Sequence, residues 1–133
     1  MAVTATPIFT QIPKNKFANI TATTTDETGA TATNIVTLLT AGANGAKVLE
    51  LVVAVPVTSV AAHVTIWVDD AGAGTLRFFD TIPIAAITVS TTAAPYRFSR
   101  VYQNFVLTAG SLVKVGVTIL NNPTVVHAFY GDF

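Results

Sequence analysis

The heptapeptide HVTIWVD, His63–Asp69, alternates residue by residue, and that alternation decides the fold class. Val64, Ile66 and Val68 fall on one side of an extended chain; His63, Thr65, Trp67 and Asp69 fall on the other. Reading outward, DAGAG (Asp70–Gly74) is a turn of small residues, with Gly72 and Gly74 expected at positive φ. TLRFFDTI (Thr75–Ile82) then returns as the paired strand. On the N-terminal side lies KVLELVVAV (Lys47–Val55), apolar on both faces, as in a strand buried between layers or under a neighbour. Before it, GANG (Gly42–Gly45) carries the Asn-Gly signal of a hairpin turn, and TNIVTLLT (Thr33–Thr40) reads as a strand. Further out, Phe17–Thr25 alternates weakly and DETG (Asp26–Gly29) turns the chain. Toward the C-terminus, Tyr96–Leu107 gives one long strand or two short ones. Leu112–Leu120 sets Val113, Val115, Val117 and Ile119 on one face, and NNPT (Asn121–Thr124) turns into a last strand, Val125–Tyr130.

These runs predict about eight strands in a single all-β domain over residues 17–133. The expected architecture is an antiparallel jelly-roll-like β-sandwich, with an immunoglobulin-like sandwich as the alternative. Residues 1–16, with Pro7 and Pro13, read as an extended N-terminal arm reaching at most roughly 50 Å. Composition agrees: 22 Thr, 18 Val and 9 Ile among 133 residues favour the pleated sheet. No stretch holds a helical apolar period over three turns.

Charge narrows the function classes. Only 11% of residues are charged, 7 basic and 7 acidic, net zero. An ordinary soluble domain of this length carries roughly 33 charged residues. With no Lys/Arg cluster, electrostatic nucleic-acid binding is not expected. The apolar run Leu51–Val60 is too short to cross a bilayer and contains Pro56, so no membrane partner is expected either. The start MAVTATPIFTQIP lacks the basic and apolar regions of a signal peptide.

Catalytic chemistry finds little support. Four Ser, two His and no Cys leave no nucleophile elbow and no thiolate site, so no catalytic residue is assigned and no enzyme is expected. His63 and His127 with Asp132 are a conceivable metal set, but their spacing does not support one. Asp69, Asp70 and Asp80 form the densest acidic group, yet DDAGAG lacks calcium-loop spacing and reads as turn chemistry. No metal or cofactor is therefore expected. Asn19-Ile20-Thr21 matches a glycosylation sequon, which has no meaning without secretion. Tyr96, Phe98, Tyr102 and Phe105 cluster in one segment and suit an interface or a core better than a stacking platform.

What remains is contact surface. A charge-poor chain loses little on burial against a partner. Candidate interface residues are Pro7, Ile8, Phe9 and Ile12 in the arm, Trp67 on the polar side of its strand, Tyr96, and the terminal Phe133. From about Ile35 onward the chain resembles small β-rich virion proteins of tailed bacteriophages. The resemblance lies in Thr40–Gly45 (TAGANG), Val64–Ile66 (VTI), Ile82–Ile87 (IPIAAI), Leu107–Gly110 (LTAG) and the ending Gly131-Asp132-Phe133. Tyr130 stands where that group has a small residue. The resemblance implies a non-enzymatic structural protein of the virion, most simply a capsid decoration or cement protein. Its partners would be the major capsid protein and copies of itself, with a homotrimer favoured. It would sit on the capsid surface after assembly in the host cytoplasm. A tail, fibre or baseplate component with a host- or glycan-binding role is the alternative.

Overall fold

The computed structural model describes residues 12–24, 26–30, 33–121 and 123–133. Eight strands follow in chain order: β1 (Ile12–Ile20), β2 (Val36–Thr40), β3 (Ala46–Val55), β4 (Ala62–Asp69), β5 (Leu76–Ile84), β6 (Tyr96–Leu107), β7 (Leu112–Val117) and β8 (Thr124–Asp132). They form two four-stranded sheets, ordered β1-β8-β3-β6 and β2-β7-β4-β5, with every strand pair antiparallel. Only β4 and β5 are joined within one sheet; each other connection crosses to the opposite sheet. That winding is a jelly roll. An immunoglobulin-like sandwich keeps sequential strands side by side in a sheet, so the alternative is set aside.

The core lies between the sheets. Val48, Leu51, Val53 and Val55 of β3 face Val64 and Ile66 of β4 and Val113, Val115 and Val117 of β7, all sealed from solvent. Two short connections do what their residues ask. Gly72 and Gly74 adopt φ of 68° and 82°, and the Gly74 amide donates to both oxygens of Asp69 at 3.0 and 3.1 Å. The GANG turn also forms: the Gly45 amide donates to the Gly42 carbonyl at 3.1 Å, and Gly45 has φ 89°. It is not a hairpin, however. β2 pairs with β7 and β3 pairs with β6 and β8, so this turn carries the chain from one sheet to the other. An Asn-Gly pair sets the local reversal, while the partner of each strand is chosen by the whole sheet.

The expected arm overlaps the described residues at 12–16 alone, and these are the first five residues of β1, paired with β8 from Ile12↔Asp132 onward. Residues 1–11 lie outside the described residues. β1 is an edge strand, and Pro13, Lys14 and Lys16 are what an edge tolerates. Those same residues hide the strand in the sequence.

Candidate assembly surface

Each sheet has an outer face, and the two are treated differently. On β2-β7-β4-β5, the outward residues of β4 are covered by the chain's own β1–β2 connection. The Thr24 amide donates to the Val117 carbonyl at 2.8 Å, fixing the start of the connection to β7. The Trp67 indole N–H donates to the Glu27 carbonyl at 2.9 Å, and the Glu27 carboxylate pairs with His63 Nε2. Gly116 supplies the space for the ring: a Cβ there would stand 3.0 Å from Trp67 Cζ3 and 2.8 Å from Thr24 Oγ1. Trp67 is consequently 1% exposed, and Thr65 and Asp69 are buried with it. The alternation placed Trp67 on the correct face. It was expected at an interface, but it is packed under its own chain and is unavailable to a partner.

The outer face of β1-β8-β3-β6 has no such cover among the described residues. Cross-strand register sets Phe17, His127, Val52 and Ser99 in one row and Asn15, Phe129, Glu50 and Val101 in the next. Partners directly opposite share a face. Val101 is 71% exposed, Phe17 65% and Phe129 40%; Leu49 and Val106 are exposed beside them. Phe17 lies against the His127 ring, centroids 5.7 Å apart. Two depressions mark this side. One, of about 330 Å³, is bordered by Pro13, Leu49 and Phe129. The other, of about 160 Å³, has Val52 and Ala54 in it with Arg97, His127 and Phe129 around.

Charge distribution sharpens the contrast. Elsewhere most charged side chains are paired, Lys16 on β1 excepted: Lys14 with Asp132 at 2.5 Å, Arg77 with Asp70 at 3.3 Å, Arg100 with Asp80 at 2.7 Å, and Lys114 with Asp69 at 3.7 Å. Lys47, Glu50 and Arg97 have no ion-pair or side-chain hydrogen-bond partner among the described residues, and all three stand on the open face. The anticipated acidic cluster is therefore dispersed, each of Asp69, Asp70 and Asp80 meeting its own cation. Among the described residues no group of three metal-ligating side chains converges. His63 and His127 sit on different sheets, and Asp132 is engaged by Lys14 and by the Gly42 amide at 3.1 Å.

One end of the sandwich gathers several of the segments singled out in the sequence. Ala46 pairs with both Leu107 and Asp132, and the Phe133 amide donates to the Gly45 carbonyl at 3.2 Å. A Cβ on Gly45 would stand 2.5 Å from the Leu107 carbonyl oxygen. Thus TAGANG, LTAG and the Gly-Asp-Phe ending form one structural knot. The Lys14 hydrogen bond holds the Asp132 carboxyl below its usual range, and in return Asp132 raises the Lys14 ammonium. Ile12, exposed, opens β1 at this end, with the partly exposed Phe133 nearby. Tyr96 lies at the far end, its hydroxyl donating to the Pro83 carbonyl, and burial raises its pKa. Pro7, Ile8 and Phe9 lie outside the described residues.

At the β5–β6 side the two sheets are tied by a polar cluster. Arg100 Nη1 donates to Asp80 Oδ1 and Oδ2 at 2.8 and 2.7 Å and to the Thr81 carbonyl at 3.0 Å, and the Tyr102 hydroxyl donates to Asp80 Oδ2 at 2.9 Å. Burial pulls the Asp80 carboxyl upward, but the hydrogen bonds from Arg100, Tyr102 and Thr81 outweigh it and lower the pKa. Phe79 stacks on Phe105 with centroids 4.0 Å apart. Phe105 is thus a core residue, and Tyr102, partly buried, packs against that core.

Sequence reading missed Phe17, Leu49, Val101, Val106 and Phe129 as surface residues. The available signal was the apolar character of both faces of Lys47–Val55, which one core cannot absorb.

No protein-family profile matches the chain, and no curated protein matches its sequence. Among solved structures, it is similar to chains of infectious bursal disease virus particles. For the T13 particle the identity is 11% and the TM-score 0.31. For the Gx strain these are 13% and 0.26, and for the derived T=1 particles 15% and 0.26. In each case the likeness covers 98% of this chain but only about two fifths of the viral one.

Proposed function

We propose that this chain is a structural protein of a virus particle, a decoration or cement protein that acts by contact and not by catalysis. The observation that carries the reading is the open outer face of β1-β8-β3-β6. It displays Phe17, Leu49, Val101, Val106 and Phe129 together, the mark of an interaction site rather than a free surface. The jelly-roll winding and the resemblance of Ile35–Phe133 to small virion proteins of tailed bacteriophages support the same reading. In it, residues 1–11, with Pro7, Ile8 and Phe9, extend from Ile12 onto the major capsid protein. The sandwich spans a subunit junction on the outside of the shell, and its buried contacts oppose the outward pressure of the packaged genome.

The test is binding of the purified chain to heads of the same virus that lack it. Saturable binding to the outside, with a higher temperature of head rupture, is expected. Deletion of residues 1–11, which leaves β1 intact, should abolish binding. Full occupancy by the truncated chain would refute the role of the arm. Labelled chain found at the tail tip would instead favour the tail or baseplate reading.

A further inference from the structure

The open face has a specific occupant that its own chemistry selects. We infer that it packs against the same face of a second copy, about a two-fold axis lying in the interface. This goes beyond the reading above, since it needs no virus particle, and it replaces the trimer expected from sequence with a pair.

Three observations point to a second copy. The first is charge. Glu50, Lys47 and Arg97 are the face's charged residues and none has a partner among the described residues, although Asp69, Asp70, Asp80 and Asp132 are all paired. A face bearing one unpaired acid and unpaired bases is complementary to itself, and the chain's zero net charge sets up no repulsion between copies. The second is register. Arg97 lies on the strand next to Glu50, opposite Ala54, four residues further along β3. With strands ~4.8 Å apart and ~3.3 Å per residue, Glu50 and Arg97 are separated by ~14 Å, mostly along the strands.

A two-fold axis midway between them sets Glu50 over the partner's Arg97, and symmetry repeats the pair in reverse. That axis makes the strands of the two copies cross at ~40°, close to the roughly 30° of aligned sheet packing. It also brings Val52 near the axis and lays Phe129 over the partner's Ala54. There the depression of about 160 Å³ receives the ring. Lys47 falls outside the contact and stays solvated.

The third observation is area. Four strands and about nine residues give a face of roughly 19 by 30 Å. That is on the order of 600 Å² in projection, more once side-chain relief is included. A stable interface needs about 800 Å² per partner, so most of the face, all but its Lys47 end, has to be used, as face-to-face packing does.

The experiment is sedimentation velocity on the full chain across a concentration series. The expected result is a monomer–dimer equilibrium. Val101→Lys, which sets a second cation beside the partner's Arg97 on an exposed position, should shift it to monomer while circular dichroism stays unchanged. Glu50→Arg and Arg97→Glu should each weaken pairing on the order of 10- to 100-fold, and the double variant should recover most of that loss. Recovery is a readout that a merely structural role would not produce. A wild-type chain that stays monomeric at ~100 µM, a concentration-dependent trimer, or a double variant no better than the singles would overturn the inference. Particle binding, measured separately, would be untouched by any of these failures.

Discussion

The outer faces of the two sheets start from similar strand patterns and end in opposite surroundings. On β4, Thr65, Trp67 and Asp69 alternate with core residues, yet all three are buried: the returning chain at Thr24 and Glu27 is tied down over Trp67, and Asp69 is closed in by the Gly74 amide and Lys114. On β1, β3, β6 and β8 the outward set includes Phe17, Leu49, Val101 and Phe129, all more apolar than Thr65 or Asp69, yet left exposed. Alternation along a strand therefore tells which side a residue faces, and the path of distant chain decides whether that side is wet. A tryptophan under a strap contributes to stability. A phenylalanine on a bare sheet adds little to the stability of its own chain and is left free to meet a partner. Variants on the two faces should separate these two effects.

The largest separation is expected at Trp67. Trp67→Ala should cost about 3–5 kcal/mol, as for other large buried aromatics, because the strap cannot collapse into so large a space. Urea denaturation should show the loss as a lower midpoint at unchanged slope. An effect below about 1 kcal/mol would mean that the strap does not cover the ring in solution. Gly116→Val comes next. Its Cβ would press on Thr24 and on the far edge of the Trp67 ring, which is overpacking worth about 1–3 kcal/mol. Because Trp67 is the only tryptophan, displacement of the strap should also red-shift its fluorescence. Unchanged emission would show that the ring moves inward and the strap stays.

These expectations also show what sequence could reveal. The pairing of His63–Asp69 with the strand after DAGAG, and the positive φ at Gly72 and Gly74, were legible because a tight turn between alternating segments is local information. β1 was placed too late, at Phe17, because Lys14 and Lys16 suppress the apolar signal that an edge strand does not need. GANG was recognised as a turn and misread as a hairpin, since its four residues carry no record of which sheet comes next. The open face was foreshadowed by Lys47–Val55. Its members on β1, β6 and β8 are separated by up to a hundred residues, and register alone puts Phe17, His127, Val52 and Ser99 in one row.

The seam between the faces gives an effect of intermediate size and a pH signature. Asp80 and Asp132 both have pKa values lowered below 3.8 by their hydrogen-bonded partners. For a group depressed in the folded state, the unfolded chain binds more protons between the two pKa values. The stabilisation is then fully present above about pH 4 and lost as pH falls through the folded values. Tyr102 behaves oppositely: burial and the bond to Asp80 raise it, so its contribution holds below about pH 10 and fades as pH rises through the folded value. Asp80→Asn keeps the shape and removes the charge from Arg100. It should cost about 1 kcal/mol at pH 7 and flatten the acid limb of the stability curve. An unaltered acid limb would assign the slope to Asp132 alone.

The smallest stability change, and the one that bears most on function, is expected on the open face. Phe17→Ser removes a ring that touches His127 at the sheet edge and is otherwise in water. Exposed substitutions of this kind fall within about 0.5 kcal/mol, so the unfolding midpoint should hardly move. The dimer should respond more, because the same ring becomes buried when two copies meet and its loss exposes the partner's neighbouring apolar residues. Measuring both quantities on one variant sets the two faces against each other directly. Trp67→Ala should move stability and leave the pairing constant of the folded fraction nearly unchanged; Phe17→Ser should do the reverse. If Phe17→Ser destabilised the fold as Trp67→Ala does, the face would have to be covered within the monomer, and the pairing of two copies through it would fail with it.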